Sequence, residues 1–307
     1  DATACCQAVA DALNCPVTDV VPSSTGVIGR LLPVSKITKA IPTLIKQLST
    51  GESADTAAAA AIMTTDLVPK FASRGAALGS RTIKFGAIAK GSGMIAPSLD
   101  SAFGPPAPSG TMLAFITTDA PISTIDLQHA LELASAGSFD RISVVNQPSC
   151  SDRVVAMASG QAGGQPITRA TPEFAVLCAA LRSICEDLAQ QIIKDGEGAT
   201  RTFRITVTGA ASNDAAAAMC RQIVNSPLVK CAIHGRDPNW GRIVTAAGNA
   251  GFTFDIAATS LTIGPVPVFA RGTPLPAALS DARLATALAD KHVDLTLEVG
   301  SGPGNYW

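Results

Sequence analysis

Aromatic residues and histidines are scarce in this 307-residue chain. Aromatic side chains make up 4% of the residues and there are 3 histidines, so Ala, Val, Ile and Leu must fill the interior. Apolar residues reach 47%, which in a chain of this length supplies the core of one large domain or two smaller ones. An interior of small aliphatic side chains favours helices packed closely on sheets.

Charge is sparse as well, at 15% of residues with a net charge of −1. The chain lacks the basic patch that nucleic acid or an anionic membrane requires, and its longest apolar stretch, 57–63, is far too short to span a bilayer. We therefore expect a small ligand and no nucleic-acid or membrane partner. Because the sequence begins with Asp1, we expect it to start within a longer protein or after processing.

The eight cysteines include no C-x-x-C pair. Cys178, Cys185 and Cys220 lie in apolar helical patterns, where a thiol behaves as a small hydrophobic side chain. The sequence therefore predicts free thiols in a reducing compartment and no metal site, and a cysteine nucleophile stays an alternative.

Helical and strand patterns alternate along almost the whole chain, which predicts an α/β or α+β fold. Internal repeats are absent, and three prolines make 98–110 an irregular loop. The predicted helices cover 2–13, 37–48, 54–63, 122–136, 171–194, 214–224 and a segment between 269 and 293. The predicted strands cover 18–21, 81–89, 111–118, 142–145, 153–158, 201–207, 228–233, 261–269 and 293–299.

Thr111 follows the flexible Gly110 and leads into an apolar strand. If the chain cut itself before Thr111, the hydroxyl would become a nucleophile and the new α-amine its base. An α-amine titrates near ~7.7–8.0, so a useful fraction is neutral at cellular pH. The alternative is that Thr111 only opens a β-strand, a position that β-branched residues favour.

Two glycine-rich turns are further candidates. The turn 23–29 contains Thr25 and Gly26 after a predicted short strand, and its N–H groups suit either an oxyanion hole or an ordinary turn into a helix. Lys90 precedes the glycines of K-G-S-G, which is not the phosphate-binding order G-x-x-x-x-G-K-[ST]. Lys90 is thus a candidate point charge for a substrate carboxylate, or a solvated lysine.

Three other segments combine polar chemistry with turn signals. Thr64 and Thr65 close an alanine-rich helix, where the run Thr64–Asp66 serves as a C-terminal turn in the simplest interpretation. Glu197 lies between two glycines and is either a ligand for a substrate amine or a loop charge. His234 opens the segment 234–242 and is either a charge-relay residue or part of a structural turn.

The order of these motifs is more specific than any one of them. Three motifs come first along the chain: S-S-T-G-V-I-G-R-L-L-P at 23–33, A-I-M-T-T-D-L-V-P-K at 61–70 and A-K-G-S-G-M-I-A-P at 89–97. Three more follow: T-M-L-A-F-I-T-T-D-A at 111–120, K-D-G-E-G-A-T-R at 194–201 and I-V-N-S-P-L-V-K-C-A-I-H-G-R-D-P-N-W-G-R-I at 223–243. The short motif A-R-G lies at 270–272. From about residue 2 to 301 the chain resembles the ornithine acetyltransferase (glutamate N-acetyltransferase, ArgJ) family of arginine biosynthesis.

The resemblance implies a self-processing N-terminal-nucleophile fold, with two β-sheet layers enclosed by helices. It also implies cleavage between Gly110 and Thr111 into parts 1–110 and 111–307, which we expect to stay together in a higher oligomer. Thr111 would carry acetyl from N-acetylornithine to glutamate without a metal or bound cofactor. Acetyl-CoA would be a second donor if the enzyme is of the bifunctional type. The resemblance also implies a place in the cytoplasm or, in a eukaryote, in the mitochondrial matrix.

The resemblance further implies roles for individual residues. Thr25 and Gly26 match the oxyanion stabilisers of the family. The residues that match its substrate contacts are Thr64 or Thr65, Lys90, Thr111 and Glu197.

Two alternatives stay open at this point. One is an amidohydrolase or aminopeptidase of similar self-processing architecture, in which water accepts the acyl group. The other is an uncut, non-catalytic member of the family, suggested by the long proline-rich segment 98–110 where the family has a very short link.

Overall fold

A computed structural model describes residues 1–27, 29–97, 112–147 and 151–307. The chain forms two compact units, one of Asp1–Asp140 with Gln147–Ile192 and one of Arg141–Asn146 with Ile193–Trp307. The predicted loop 98–110 and the proposed nucleophile Thr111 lie outside the described residues. The expected cleavage would divide the chain into the parts 1–110 and 111–307. These parts do not coincide with the two compact units.

The first unit is built on a four-stranded sheet with the order β1-β2-β3-β4. Neighbouring strands are antiparallel except β3 and β4, which are parallel. Its elements are α1 (Ala2–Leu13), α2 (Val34–Lys46), α3 (Glu52–Ala61), β1 (Lys70–Leu78), β2 (Arg81–Lys90), β3 (Leu113–Thr118), α4 (Thr124–Ala136), β4 (Arg153–Ala158) and α5 (Pro172–Lys194).

The register of this sheet brings four strand ends together. Lys90, the last residue of β2, pairs with Leu113, the first residue of β3, and Leu113 pairs with Arg153, the first residue of β4. Lys70 opens β1 opposite Ala89. We call this side of the sheet, formed by the start of β1, the end of β2 and the starts of β3 and β4, the Lys90 edge.

Helix α5 carries a buried apolar stripe and supports the outer strand β1. Residues 177, 181, 184, 188 and 192 are buried at the spacing of one helix face. The amide of Gln191 accepts the N–H of Phe71 and donates to its C=O, and Arg74 pairs with Asp187 at 2.9 Å. These bonds occupy backbone groups that an outer strand otherwise leaves unpaired.

The second unit contains a six-stranded sheet with the order β10-β5-β9-β6-β7-β8. β5 and β9 are parallel and the other pairs are antiparallel. In β9 every second residue is buried, so one face of the strand meets the core. The elements are β5 (Thr202–Ala210), α6 (Asn213–Asn225), α7 (Pro227–His234), α8 (Trp240–Gly248), β6 (Ser260–Ile263), β7 (Val266–Ala270), β8 (Thr273–Pro274), α9 (Ala282–Ala289), β9 (His292–Glu298) and β10 (Gly304–Tyr306).

The predicted mixed α/β class is confirmed, but three predicted strands are wrong. Segment 228–233 lies in α7, because the Ser226 hydroxyl accepts the Val229 N–H and Pro227 occupies the first turn, where its missing N–H costs nothing. Segment 18–21 contains a 3₁₀ turn, Val17–Asp19. Segment 142–145 has no strand pairing, and the Ser143 hydroxyl instead donates to Asn225 at 2.6 Å. Strand β1 and helix α8 were not predicted.

The seven described cysteines are free thiols, and Cys150 lies outside the described residues. Burial raises the pKa of Cys185 and of Cys220 to about 12 in each case, which fits their expected role as small hydrophobic side chains. Within the described ranges, no helix is long and apolar enough to cross a membrane. No group of His, Cys, Asp or Glu in that part of the chain has the arrangement of a metal site.

Candidate active site

Met112, the residue after the predicted nucleophile, is held firmly at the Lys90 edge. It is fully buried, and its N–H donates to Oδ1 of Asp152 at 2.6 Å. Its C=O accepts the N–H of Arg153 at 2.9 Å. The start of β4 therefore fixes the backbone at the point where the chain enters β3, one residue after Thr111.

Lys90 lies beside this point, opposite Leu113 in the sheet, and is 1% exposed. A buried ammonium group must be paired, because its desolvation is otherwise prohibitive. Lys70, which opens β1, is fully buried too. The Lys90 edge therefore holds two buried lysines, whose charges solvent screens little.

Asp66 connects the predicted substrate-binding segments. Its Oδ1 accepts Nζ of Lys70 and the N–H of Gly91, both at 2.7 Å. Its Oδ2 accepts the N–H of Thr64 at 3.1 Å. One carboxylate therefore holds the Thr64–Thr65 pair and the residue directly after Lys90 in a fixed relation. The Asp66 side chain has no exposure to solvent.

The environment of Asp66 lowers its pKa. Burial alone raises the pKa, but the hydrogen bonds from Lys70, Gly91 and Thr64 and the charge of Lys70 outweigh burial and hold the pKa below its ordinary value of 3.8. The group is therefore an anion at neutral pH.

This shift predicts a pH-dependent stability. A carboxyl group with a lowered folded-state pKa stabilises the fold above its unfolded-state pKa, and that contribution is lost as the pH falls through the folded-state value. We expect the difference in free energy of unfolding between wild type and Asp66→Asn to be full above about pH 5 and to shrink below about pH 4. Urea titrations at a series of pH values measure this difference, and a difference that is independent of pH would contradict the assignment.

The turn that contains Thr25 and Gly26 is tied to the same edge. The Arg153 guanidinium, at the start of β4, donates through Nη1 to the C=O of Pro22. Thr25 is half-buried and Gly26 is exposed, so a ligand can reach this backbone. The Ser23 hydroxyl oxygen is buried and has no hydrogen-bond partner among the described residues; a group left in that state costs about 1–3 kcal/mol.

The turn after Lys90 has neither the residue order of a phosphate-binding loop nor a free N–H at Gly91. The N–H of Gly91 donates to Asp66 and is not available to an anion. Gly91 has φ 154°, and a Cβ built on it would lie 3.0 Å from Cδ1 of Ile95, so a larger residue would disturb the turn. The segment therefore serves to place Lys90.

Glu197 belongs to the second unit, so the Lys90 edge is described without it. It is exposed at the corner of a turn that the Ala199 N–H closes onto the C=O of Gly196 at 2.8 Å. Gly198 follows with φ 71°, which the turn requires and glycine adopts without strain. Thr200 then contacts Nδ1 of His234 through its hydroxyl at 2.8 Å.

The segment 234–242 has structural contacts. His234 ends α7 and contacts a threonine hydroxyl through Nδ1. Asn239 caps α8 by accepting the Arg242 N–H at 3.3 Å, and Trp240 stacks on Phe269 with ring centroids 4.6 Å apart. These contacts fit the interpretation of this segment as a structural turn.

Sequence reasoning missed the roles of Asp66, Asp152 and Arg153. A usable signal existed for the first: a carboxylate four residues before Lys70, a lysine that opens a strand, is the partner that a buried lysine needs. The bonds from Asp152 and Arg153 depend on strand register, which spacing along the chain does not reveal.

The ArgJ family model matches residues 1–307 of this chain. The arginine biosynthesis bifunctional protein ArgJ of Thermosynechococcus vestitus is 41% identical over 310 residues, which cover 96% of this chain and 71% of that protein. The chain belongs to the ArgJ family. The protein of the same name from Halalkalibacterium halodurans is 40% identical over 299 residues, covering 97% of this chain and 70% of that protein.

The fold agrees with this family. A crystal structure of the arginine biosynthesis bifunctional protein ArgJ from Bacillus halodurans has a TM-score of 0.58 and 38% identity, and the match covers 62% of this chain and 88% of that chain. The resemblance drawn from the ordered motifs is therefore confirmed at the level of family and fold. Within the ArgJ family, the Lys90 edge is the candidate active site of this chain.

Proposed function

We propose that the protein is an acetyltransferase of arginine biosynthesis, which moves acetyl from N-acetylornithine to glutamate through an acetyl ester on Thr111. The observation that carries the proposal is the fixed backbone of Met112 beside the buried Lys90. A nucleophile must be positioned to within a fraction of an ångström. Met112, the residue after Thr111, is held by hydrogen bonds to both its N–H and its C=O. Relatives named as bifunctional arginine biosynthesis proteins support the pathway.

The first step is self-cleavage of the Gly110–Thr111 bond. The Thr111 hydroxyl oxygen attacks the Gly110 carbonyl carbon, and the C–N bond breaks as the nitrogen takes the hydroxyl proton. Water then hydrolyses the resulting ester, which leaves a carboxylate on Gly110 and a free α-amine on Thr111. The bonds that hold Met112 fix one side of the reacting residue during this step.

Acetyl transfer then uses the new amine as base. It takes the proton of the Thr111 hydroxyl as the oxygen attacks the acetyl carbonyl of N-acetylornithine, and it returns that proton to the departing amine of ornithine. The backbone at Thr25 and Gly26 stabilises the tetrahedral oxyanion, an effect worth roughly 3–4 kcal/mol per donor in measured systems. The glutamate amine then attacks the acetyl ester and regenerates Thr111.

Charge recognition orients the two amino acids. Lys90 binds the substrate α-carboxylate, and the family resemblance assigns Glu197 to a substrate amine. Thr64 and Thr65 offer hydroxyl groups to the substrate. Both residues are exposed, and Asp66 fixes their backbone by accepting the Thr64 N–H. The Ser23 hydroxyl, which has no hydrogen-bond partner in the part of the chain that the structure describes, is available to a polar group of the substrate near the oxyanion turn.

Labelled acetyl separates this activity from hydrolysis. Incubated with N-acetylornithine labelled in the acetyl group, the protein is expected to form labelled N-acetylglutamate, at a rate that rises with glutamate concentration. A hydrolase of similar architecture would release labelled acetate at a rate that glutamate does not change, and that result would overturn the proposal. Labelled acetyl-CoA in place of N-acetylornithine tests the second donor that the word bifunctional in the relatives' names suggests.

A further inference from the structure

We propose that Asp66 is a positioning residue for substrate binding, acting through Thr64 and Lys90 without touching the substrate. This inference rests on the proposed acetyl transfer, because it concerns the same site. The side chain of Asp66 is wholly buried, so no substrate atom reaches it. Its effect must therefore pass through the groups that it binds.

Asp66 divides its two oxygens between separate segments of the chain. Oδ1 binds Lys70 and the Gly91 N–H, and Oδ2 binds the Thr64 N–H. The Gly91 N–H belongs to the peptide that joins Lys90 to Gly91, so this bond fixes the backbone from which the Lys90 side chain extends. The Thr64 N–H belongs to a segment 27 residues away along the chain from Gly91, and only a tertiary contact can fix the two together.

The site needs a carboxylate here, because all three groups that it binds are donors. An asparagine side chain has one acceptor oxygen, and its NH₂ group cannot accept a hydrogen bond from an N–H. In Asp66→Asn, either the Thr64 contact or the shared Lys70–Gly91 contact must break. The variant keeps the size of the side chain and changes only its hydrogen-bonding pattern and charge.

The test measures cleavage and steady-state kinetics of Asp66→Asn in the full-length protein. We expect Thr111 still to cut the chain, and KM for N-acetylornithine to rise about tenfold, which corresponds to about 1.4 kcal/mol of lost binding. We expect kcat to change by less than about threefold, since the nucleophile and the oxyanion turn are untouched. A wild-type KM, or a fall in kcat with KM unchanged, would overturn the inference.

Asp126→Asn is the matched control. Asp126 is also a buried carboxylate of the first unit, with a side chain that is 10% exposed, and it accepts Nε of Arg169 at 2.8 Å. It lies in the first turn of α4, which follows the C-terminal end of β3, so it is at the opposite edge of the sheet from Lys90. We expect Asp126→Asn to keep the wild-type KM even where it loses stability.

A paired variant keeps the test decisive if Asp66→Asn does not fold. Asp66→Asn with Lys70→Met removes both members of the buried ion pair, so neither charge is left without its partner. The asparagine of this variant can still accept only one of the Thr64 and Gly91 N–H groups in the wild-type geometry, so a raised KM is still expected. A wild-type KM in this folded variant would overturn the inference.

Direct binding distinguishes this inference from the proposed function. Calorimetry with glutamate reports the dissociation constant of wild type and variant without any turnover. If wild type binds glutamate but transfers no acetyl, the proposed function fails, while a weaker affinity in Asp66→Asn still supports the positioning role. If transfer occurs and both affinities are equal, the positioning role fails alone.

Discussion

Thr111→Ala is expected to leave the protein as one intact chain, whereas the wild-type protein separates under denaturing conditions into residues 1–110 and 111–307. Alanine has no hydroxyl to attack the Gly110 carbonyl, and without the cut no α-amine is released to act as base. Acetyl transfer should fall by on the order of 10⁶-fold, the scale seen when a covalent nucleophile is removed. Denaturing electrophoresis and the exchange of labelled acetyl measure the two effects.

Thr117→Ala and Thr111→Ser are the controls for this prediction. Thr117 lies in the same strand, β3, where its hydroxyl donates to the C=O of Gly86, so its loss should leave cleavage intact. Serine keeps a hydroxyl at position 111 and should still cut the chain. Fragments from Thr111→Ala, or an uncut wild-type protein, would show that Thr111 is not the self-processing nucleophile.

Lys90→Met is expected to lower kcat/KM for N-acetylornithine by roughly 10²–10³-fold, mostly through KM. Methionine keeps much of the buried volume and removes the charge that binds the substrate carboxylate. Losing one partner of a desolvated charge pair costs about 2–5 kcal/mol, and each 1.4 kcal/mol is about tenfold. Initial rates over a range of N-acetylornithine concentrations give both constants.

Lys84→Met is the matched control, because Lys84 lies in the same strand, β2, but is exposed. Its ammonium is screened by solvent, so its loss should leave kcat/KM unchanged within about twofold. Equal effects of the two substitutions would mean that Lys90 supports the strand and does not bind substrate. The Lys90→Met protein should still form both fragments, since cleavage needs no substrate.

Much of the fold follows from local patterns in the sequence. The helix predicted at 2–13 has the bounds of α1, and that predicted at 171–194 differs from α5 by one residue. The strand predicted at 228–233 is wrong. Its valine and isoleucine favour a strand, but Ser226 and Pro227, directly before it, start a helix. The start signal outweighs the β-propensity of this segment, because β-propensity depends strongly on context.

The site was predictable in part. Thr25, Lys90 and the chain next to Thr111 were proposed from ordered motifs, and the structure ties them to the Lys90 edge through strand register and the Arg153 bond to Pro22. The four-residue spacing of Asp66 and Lys70 gives a signal for their ion pair, but the bond of Asp66 to Gly91 joins residues 25 positions apart. Such a contact is created by the fold and leaves no periodic trace in the sequence.

The proposed function depends on an acetyl ester that forms on Thr111. The mass of the 111–307 fragment tests for this intermediate most directly. After the wild-type protein is mixed with N-acetylornithine and quenched in acid, this fragment should gain the mass of one acetyl group, located on Thr111 by peptide mapping. Addition of glutamate before the quench should remove it. An unmodified fragment during active turnover, or acetyl on another residue, would contradict the account.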